Sequence, residues 1–182
     1  MAELSVADLT ALIRDIPDHP EPGIVFKDIT PLLAHGDGLA ATVEALAAPW
    51  RDTRIDAVVG IEARGFILGA PVALALGVGF VPIRKAGKLP GATMQETYGL
   101  EYGTDTIEIH ADAVEPGQHV LVLDDVLATG GTAAAAGSLI ERLGATVAGY
   151  GFLIELGFLE GRARFADARI ERLVHVDPGQ EG

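Results

Sequence analysis

The chain has 182 residues, about one domain's worth, and a fold of this size buries roughly 70% of its unfolded surface. Thirteen Lys and Arg against 26 Asp and Glu give a formal net charge of −13, which repels nucleic-acid backbones and anionic membranes at long range. There is no cysteine, so disulfide frameworks, thiolate zinc sites, iron–sulfur clusters and cysteine nucleophiles are all excluded. Hydrophobic residues at 49% and charged residues at 21% describe a globular protein. The start lacks a basic stretch followed by an apolar run, and with the missing cysteines this makes a reducing cytoplasm the expected location.

Ser5, with Asp8 three residues on, predicts a capped helix over about Ser5–Arg14, stopped by Pro17, Pro20 and Pro22. Gly23–Pro31 is read as irregular or extended. Asp37 is the expected cap of a helix whose Leu39, Thr42, Val43, Leu46, Ala47 and Trp50 share one face. Ile55–Ile61 is a buried strand. Phe66–Ile83 holds 18 residues without a charge, the lower limit of a membrane span, but Pro71, Gly77, Gly79 and Pro82 break it. It is read instead as a helix over Phe66–Leu76, a glycine turn and a strand Phe80–Ile83. A long Gly/Pro-rich loop then runs from Arg84 to about Gly103. Thr104–His110 alternates and predicts a half-exposed strand. Val120–Leu123 is an apolar strand, Gly131–Leu143 a helix closed by Gly144, Val147–Ile154 a buried strand and Leu173–Val176 a last edge strand. Alternating strands and helices predict an α/β fold with a mainly parallel twisted sheet flanked by helices. Ligands in such folds bind beyond the carboxyl ends of the strands.

Three loops fall at those ends. After Val120–Leu123 come Asp124, Asp125, then Ala128-Thr129-Gly130-Gly131-Thr132 and a helix. Small residues at a helix N-terminus leave amides open to a phosphate, and the two acids suit sugar hydroxyls. Gly60–Phe66 places Arg64 at a strand-to-helix turn, where a guanidinium can fork onto phosphate. On its own Arg64 would be a surface arginine. Arg84, Lys85 and Lys88 are the one tight basic cluster, holding two of the three lysines, and can focus a polyanion locally. Thr93–Gly103 continues this loop as an expected mobile lid. Five scattered histidines suggest no metal site.

The run Val120–Thr132 resembles the phosphoribosyl-diphosphate (PRPP) signature of the type I phosphoribosyltransferases, and no competing nucleotide-loop, hydrolase or zinc motif is present. With Gly60–Phe66, Arg84–Gly91, Leu100–Gly103 and Pro22–Leu33 in that order, the chain resembles the adenine-using branch from about Ile13 to Arg164. Lys27, His19 and Glu21 depart from residues frequent there. The resemblance implies one transferase domain over 1–182: a helix and base-binding hood over 1–34, and a core over 35–182 with a mobile loop at about 84–103. It implies adenine + PRPP → AMP + pyrophosphate, a pentosyl transfer of purine salvage through an oxocarbenium-like state. Mg²⁺ would be held mainly by PRPP and water, with no dedicated protein cage. It also implies a homodimer, with the Arg84 position able to serve the neighbouring subunit's site.

The implied roles are these. Ala128, Thr129, Gly130, Gly131 and Thr132 bind the 5-phosphate, and Asp124 and Asp125 the ribose hydroxyls. Arg64, Arg84, Lys85 and Lys88 hold pyrophosphate, beside the peptide Glu62–Ala63, which is often cis in the family. Phe26 stacks on the purine, the Val25 backbone reads its amino edge, and Lys27 belongs to the same hood. Glu101 is the general acid/base, assisted by Tyr102. Alternatives are transferases for xanthine or hypoxanthine–guanine, and a non-catalytic PRPP-binding regulator, which the acidic charge and short length disfavour.

Overall fold

A computed structural model of the protein describes residues 4–99 and 103–177. The Ser5 hydroxyl accepts the Asp8 amide while the Asp8 carboxylate accepts the Ser5 amide, so helix α1 (Val6–Ala11) starts on the expected reciprocal cap. It ends before Arg14. Residues Arg14–Ile16 instead form strand β1, antiparallel to β2 (Phe26–Asp28). Cross-strand charge pairs favour that outcome: Arg14 Nη2 lies 2.6 Å from the Asp28 carboxylate and Lys27 Nζ 2.8 Å from Asp15. The stretch expected to be irregular up to Pro31 ends in a short helix α2 (Thr30–Ala34), with Pro31 in the first turn, where its missing amide costs nothing. Helix α3 (Gly36–Ala47) starts two residues earlier than expected. Its cap is therefore His35, whose Nδ1 accepts the Gly38 amide at 3.0 Å; Asp37 lies in the first turn.

The large sheet has seven strands, β3 (Ala57–Ile61), β4 (Gly79–Lys85), β5 (Thr93–Gly99), β6 (Thr104–His110), β7 (His119–Leu127), β8 (Thr146–Leu156) and β9 (Ile170–Val176). Across the sheet they run β5-β6-β4-β3-β7-β8-β9. Five are parallel; β5 and β6 are an antiparallel hairpin added beside β4. Helix α4 (Arg64–Leu76) joins β3 to β4, and α5 (Gly131–Arg142) joins β7 to β8. Strand alternation divides the core between two faces. Val58, Leu121 and Leu123 pack with α3 and α4, whereas Val59, Ile61 and Val122 pack with α5. The uncharged run 66–83 resolves into α4, a left-handed Gly77 and β4, and no described helix is long and apolar enough to cross a membrane.

Two further expectations need correction. The segment 84–103 is not a loop throughout, because residues 93–99 pair with β6 along its whole length. Nor is β6 half-exposed at its centre: Ile107, Glu108 and Ile109 are all buried, because β5 and α5 cover one side and the 85–89 turn folds over Glu108. Between β8 and β9, two short 3₁₀ turns (Gly157–Leu159 and Gly161–Phe165) fill a stretch for which the sequence pattern predicts nothing.

Candidate functional site

Strand β7 pairs with β3 only from Val120 to Leu123, but continues along β8 to Leu127. The two acids therefore lie inside a longer strand than expected, at the point where its β3 side falls open. The first turn of α4 fills part of that opening. A Cβ on Gly65 would fall 2.9 Å from the Leu123 carbonyl oxygen, so only glycine lets the helix start so near β7. This approach brings Arg64 Nε into a hydrogen bond with Asp125. The guanidinium also lies 5.6 Å from the centre of the Phe26 ring, within the range of a cation–π contact. Burial and the neighbouring Asp125 charge push the Asp124 carboxyl well above the ordinary carboxylate range.

A cavity of about 360 Å³ opens here. Glu62, Ala63, Arg64, Lys85, Asp124, Asp125 and Thr132 line it, and so do Tyr98 and Asp105, which sequence reasoning missed. The Glu62–Ala63 peptide is cis. Each cation at this rim already has an acid. Arg84 Nε donates to Glu62 at 3.1 Å, and Lys85 Nζ lies 3.0 Å from Asp105. Arg84 turns toward Glu62 and the Lys88 carbonyl rather than into the cavity. The Lys88 and Leu89 amides both donate to Glu108 Oε1 at 2.8 Å, so a buried carboxylate fixes the turn that carries the basic cluster. The Leu89 backbone amide, joined by the Gln95 side chain, outweighs burial and holds the Glu108 carboxyl down at about 2. A charged residue in the middle of a strand reads as solvent-facing, so no sequence signal marked Glu108.

At the end of β7 the chain passes Ala128 and Thr129 to Gly130, in the left-handed region at φ 77, and α5 begins. Among the described residues no group accepts from the Thr129 or Gly130 amide, and the first amides of α5 have no carbonyl one turn back. The loop thus presents a row of free donors at a helix N-terminus, an arrangement suited to an anion. Tyr98 closes one side of it: the Thr132 hydroxyl donates to Tyr98 Oη at 3.1 Å, and Tyr98 reaches Asp105 at 3.4 Å.

A second cavity, of about 390 Å³, shares Ala128 and Thr129 with the loop. Ile24, Val25 and Lys27 from the hood line it with Leu156, Phe158, Leu159 and Val176 and with these two loop residues. It is mostly apolar and within the size range of small-molecule sites, about 300–1,000 Å³. Of the predicted hood residues, Val25 and Lys27 line it. Phe26 points to the opposite side of β2, edge-on to His19 at 5.2 Å and beside Arg64. The apolar wall 156–159 was missed: it follows a strand without a motif of its own. Lys88 contributes its backbone to the Glu108 turn. Glu101 and Tyr102 lie outside the described residues.

The site thus joins open amides at a helix N-terminus, two acids where β7 parts from β3, and Arg64 in the first turn of α4. The family model for the phosphoribosyl transferase domain matches residues 29–173, and the chain belongs to the phosphoribosyltransferase family. Within it, adenine phosphoribosyltransferase of Thermobifida fusca is 60% identical over 164 residues, covering 90% of this chain and 93% of that protein. The enzyme of the same name from Streptomyces clavuligerus is 62% identical over 156 residues, covering 86% and 88%. The crystal structure of adenine phosphoribosyltransferase from Rhodothermus marinus superposes with a TM-score of 0.89 at 54% identity, covering 94% of this chain and 98% of that one. That from Saccharomyces cerevisiae, complexed with an imino-altritol bisphosphate and adenine, gives 0.88 at 42% identity, covering 92% and 97%.

Proposed function

We propose that this chain transfers the phosphoribosyl group of PRPP to adenine, giving AMP and pyrophosphate in adenine salvage. The observation that carries the reading is the shared wall: Ala128 and Thr129 belong both to the open-amide loop and to the apolar cavity under the hood. A phosphate held on one side of that wall and a flat base on the other set the ribose between them, over Asp124 and Asp125. The S. cerevisiae relative, whose structure holds adenine and a bisphosphate together, supports the same pairing of ligands.

In this reading residues 128–132 take the 5-phosphate through their amides, and Asp124 and Asp125 accept from the ribose hydroxyls. Arg64, Arg84, Lys85 and Lys88 take the charge that grows on the departing pyrophosphate, the term worth most in such a reaction. Arg64 must then share itself between Asp125 and the substrate, so the ion pair keeps its guanidinium in place before PRPP arrives. Val25 and Lys27 form the hood side of the base cavity, and Phe26 supplies an aromatic face near Arg64. Glu101 exchanges the proton at the imidazole edge of the purine, assisted by Tyr102.

The donors present fit a Mg²⁺ that arrives with the substrate: one Asp125 oxygen is committed to Arg64 and the Asp124 charge is disfavoured, so Asp124 and Asp125 hold it best through water and ribose oxygens. When bound, Mg²⁺ neutralises the pyrophosphate oxygens. A homodimer is supported by α4, where Ile67 is 46% and Leu74 81% exposed, two turns apart on one face.

The test is pyrophosphate release with PRPP and Mg²⁺, base by base. Adenine-dependent release with AMP formed is expected. Release with hypoxanthine, guanine or xanthine alone overturns the base assignment, and PRPP binding without release for any base points to a regulator.

A further inference from the structure

The segment between β8 and β9 carries charged side chains for which the proposed chemistry has no use. Glu155, paired in register with Leu127, is only 5% exposed. Arg162 grips it with both arms, Nε to Oε1 and Nη2 to Oε2, each at 2.9 Å. Arg172 Nε, from β9, lies 2.5 Å from Oε2, and Arg162 Nη1 reaches the Ile170 carbonyl at 3.4 Å. A buried carboxylate shared by two arginines from different elements is a strong tie, because removing it would leave two like charges facing each other. It fastens the turn 157–165 to both strands.

The far side of that turn meets the anion loop from behind. A Cβ on Gly161 would fall 2.0 Å from the Ala128 carbonyl oxygen, and one on Gly130 would fall 2.6 Å from the Gly161 carbonyl oxygen. No other residue allows these two backbones to touch. Arg164 Nε then donates to the Thr129 carbonyl at 2.7 Å. In a planar trans peptide the C=O and N–H point in opposite directions, so holding the Thr129 oxygen also sets the direction of the Gly130 N–H. A loop whose amides must stay free for a ligand cannot be fixed from the ligand side and needs such a support. Phe158 and Leu159, in the same turn, line the apolar cavity.

We infer that Arg164 is a positioning residue for the anion loop, and that the Glu155–Arg162–Arg172 knot anchors both this loop and the Phe158–Leu159 wall. The kinetic part rests on the reading of residues 128–132 as the 5-phosphate site. Two variants separate the parts. Arg164 is exposed and makes one backbone contact, so Arg164→Ala should fold. In the ligand-free variant the ¹⁵N order parameters of Gly130 and Gly131 should fall from about 0.85 to below about 0.6. The KM for PRPP should rise on the order of tenfold, the loss of about one hydrogen bond, with the KM for adenine within about twofold of the parent. Arg164→Lys should recover part of both. Glu155→Gln loosens the whole turn, so both KM values should rise together.

Unchanged Gly130 and Gly131 order parameters in Arg164→Ala overturn the positioning role, whatever the kinetics. Loosened amides with an unchanged KM for PRPP uphold the support but overturn the 5-phosphate assignment. If Glu155→Gln moves only the PRPP value, the shared anchor is wrong.

Discussion

Asp124 and Glu108 are both carboxylates in the sheet, and their surroundings push them in opposite directions. Burial and the Asp125 charge make an ionised Asp124 unfavourable. Replacing it by Asn keeps the oxygen that accepts the Asp125 amide at 2.9 Å and removes the repulsion. Asp124→Asn should therefore stabilise the fold by about 1 kcal/mol, a rise in Tm of about 2–4 °C, while turnover with PRPP falls by at least about tenfold. Calorimetry with a kinetic assay checks this, and a lower Tm would contradict the repulsion. Glu108 is the reverse case. Its charge persists in the folded protein down to about 2, whereas an exposed glutamate takes up its proton near about 4.3. Between those values the unfolded chain binds more protons than the folded one. Stability from Glu108 is therefore complete above about pH 4.5 and lost as the pH falls toward 2. Glu108→Gln should be less stable than the parent by about 1–3 kcal/mol at neutral pH, with the gap closing toward pH 2. Denaturant unfolding across that range reads the gap; a constant gap would show that the charge contributes nothing.

At the level of elements, the legible parts of the chain are those whose pattern is apolar and local. Val120–Leu123, the α5 run and the α4–Gly77–β4 unit could be read because continuous hydrophobic runs and glycine stops say where they begin and end. The β5–β6 hairpin was hidden. Met94, Glu96 and Tyr98 are half-buried and alternate with exposed neighbours, but only two of the three are apolar, and Gly91, Gly99 and Gly103 read as loop. What holds β5 is distant in sequence: Arg142 on α5 donates to the Gln95 carbonyl at 2.9 Å and pairs with Glu96 at 2.6 Å. The site divides in the same way. Its phosphate loop and acids are contiguous and were readable, whereas Tyr98, Asp105, Glu108 and the 156–159 wall are brought in by pairing and turns. The Arg142 pair is half-exposed, so Arg142→Ala should change global stability by only about 0–1 kcal/mol. Hydrogen exchange of residues 93–99 should nevertheless become markedly faster, because β5 is an edge strand whose one strand neighbour among the described residues is β6. Unchanged exchange there would mean that β6 pairing by itself holds the strand.

For the molecule as a whole, a charge of −13 has to receive a polyanionic substrate. Arg64, Arg84 and Lys85 do not offset this as a free positive patch, because each starts out paired with an acid. The pairs set the cations in place before the substrate arrives, and in the proposed reading the cations then pass from their acids to the pyrophosphate, with Mg²⁺ and a second subunit as further sources of positive charge. Arg84 bears on that second source. It is held by Glu62, away from the cavity that contains Asp124, while the exposed Ile67 and Leu74 on α4 offer an apolar face for a partner. If Arg84 serves the partner's site, a subunit with Arg84→Ala and a subunit with Asp124→Ala are each inactive alone but complement each other. Their mixed dimer has one site with an intact Asp124 and the partner's intact Arg84, and one site lacking both. Random pairing after co-expression makes half the dimers mixed, so activity should return to roughly a quarter of the parent value. Purified Arg84→Ala and Asp124→Ala homodimers provide the baseline. A mixture no more active than that baseline would place Arg84 in the site of its own chain, where its contact with Glu62 would then be the catalytic arrangement rather than a resting one.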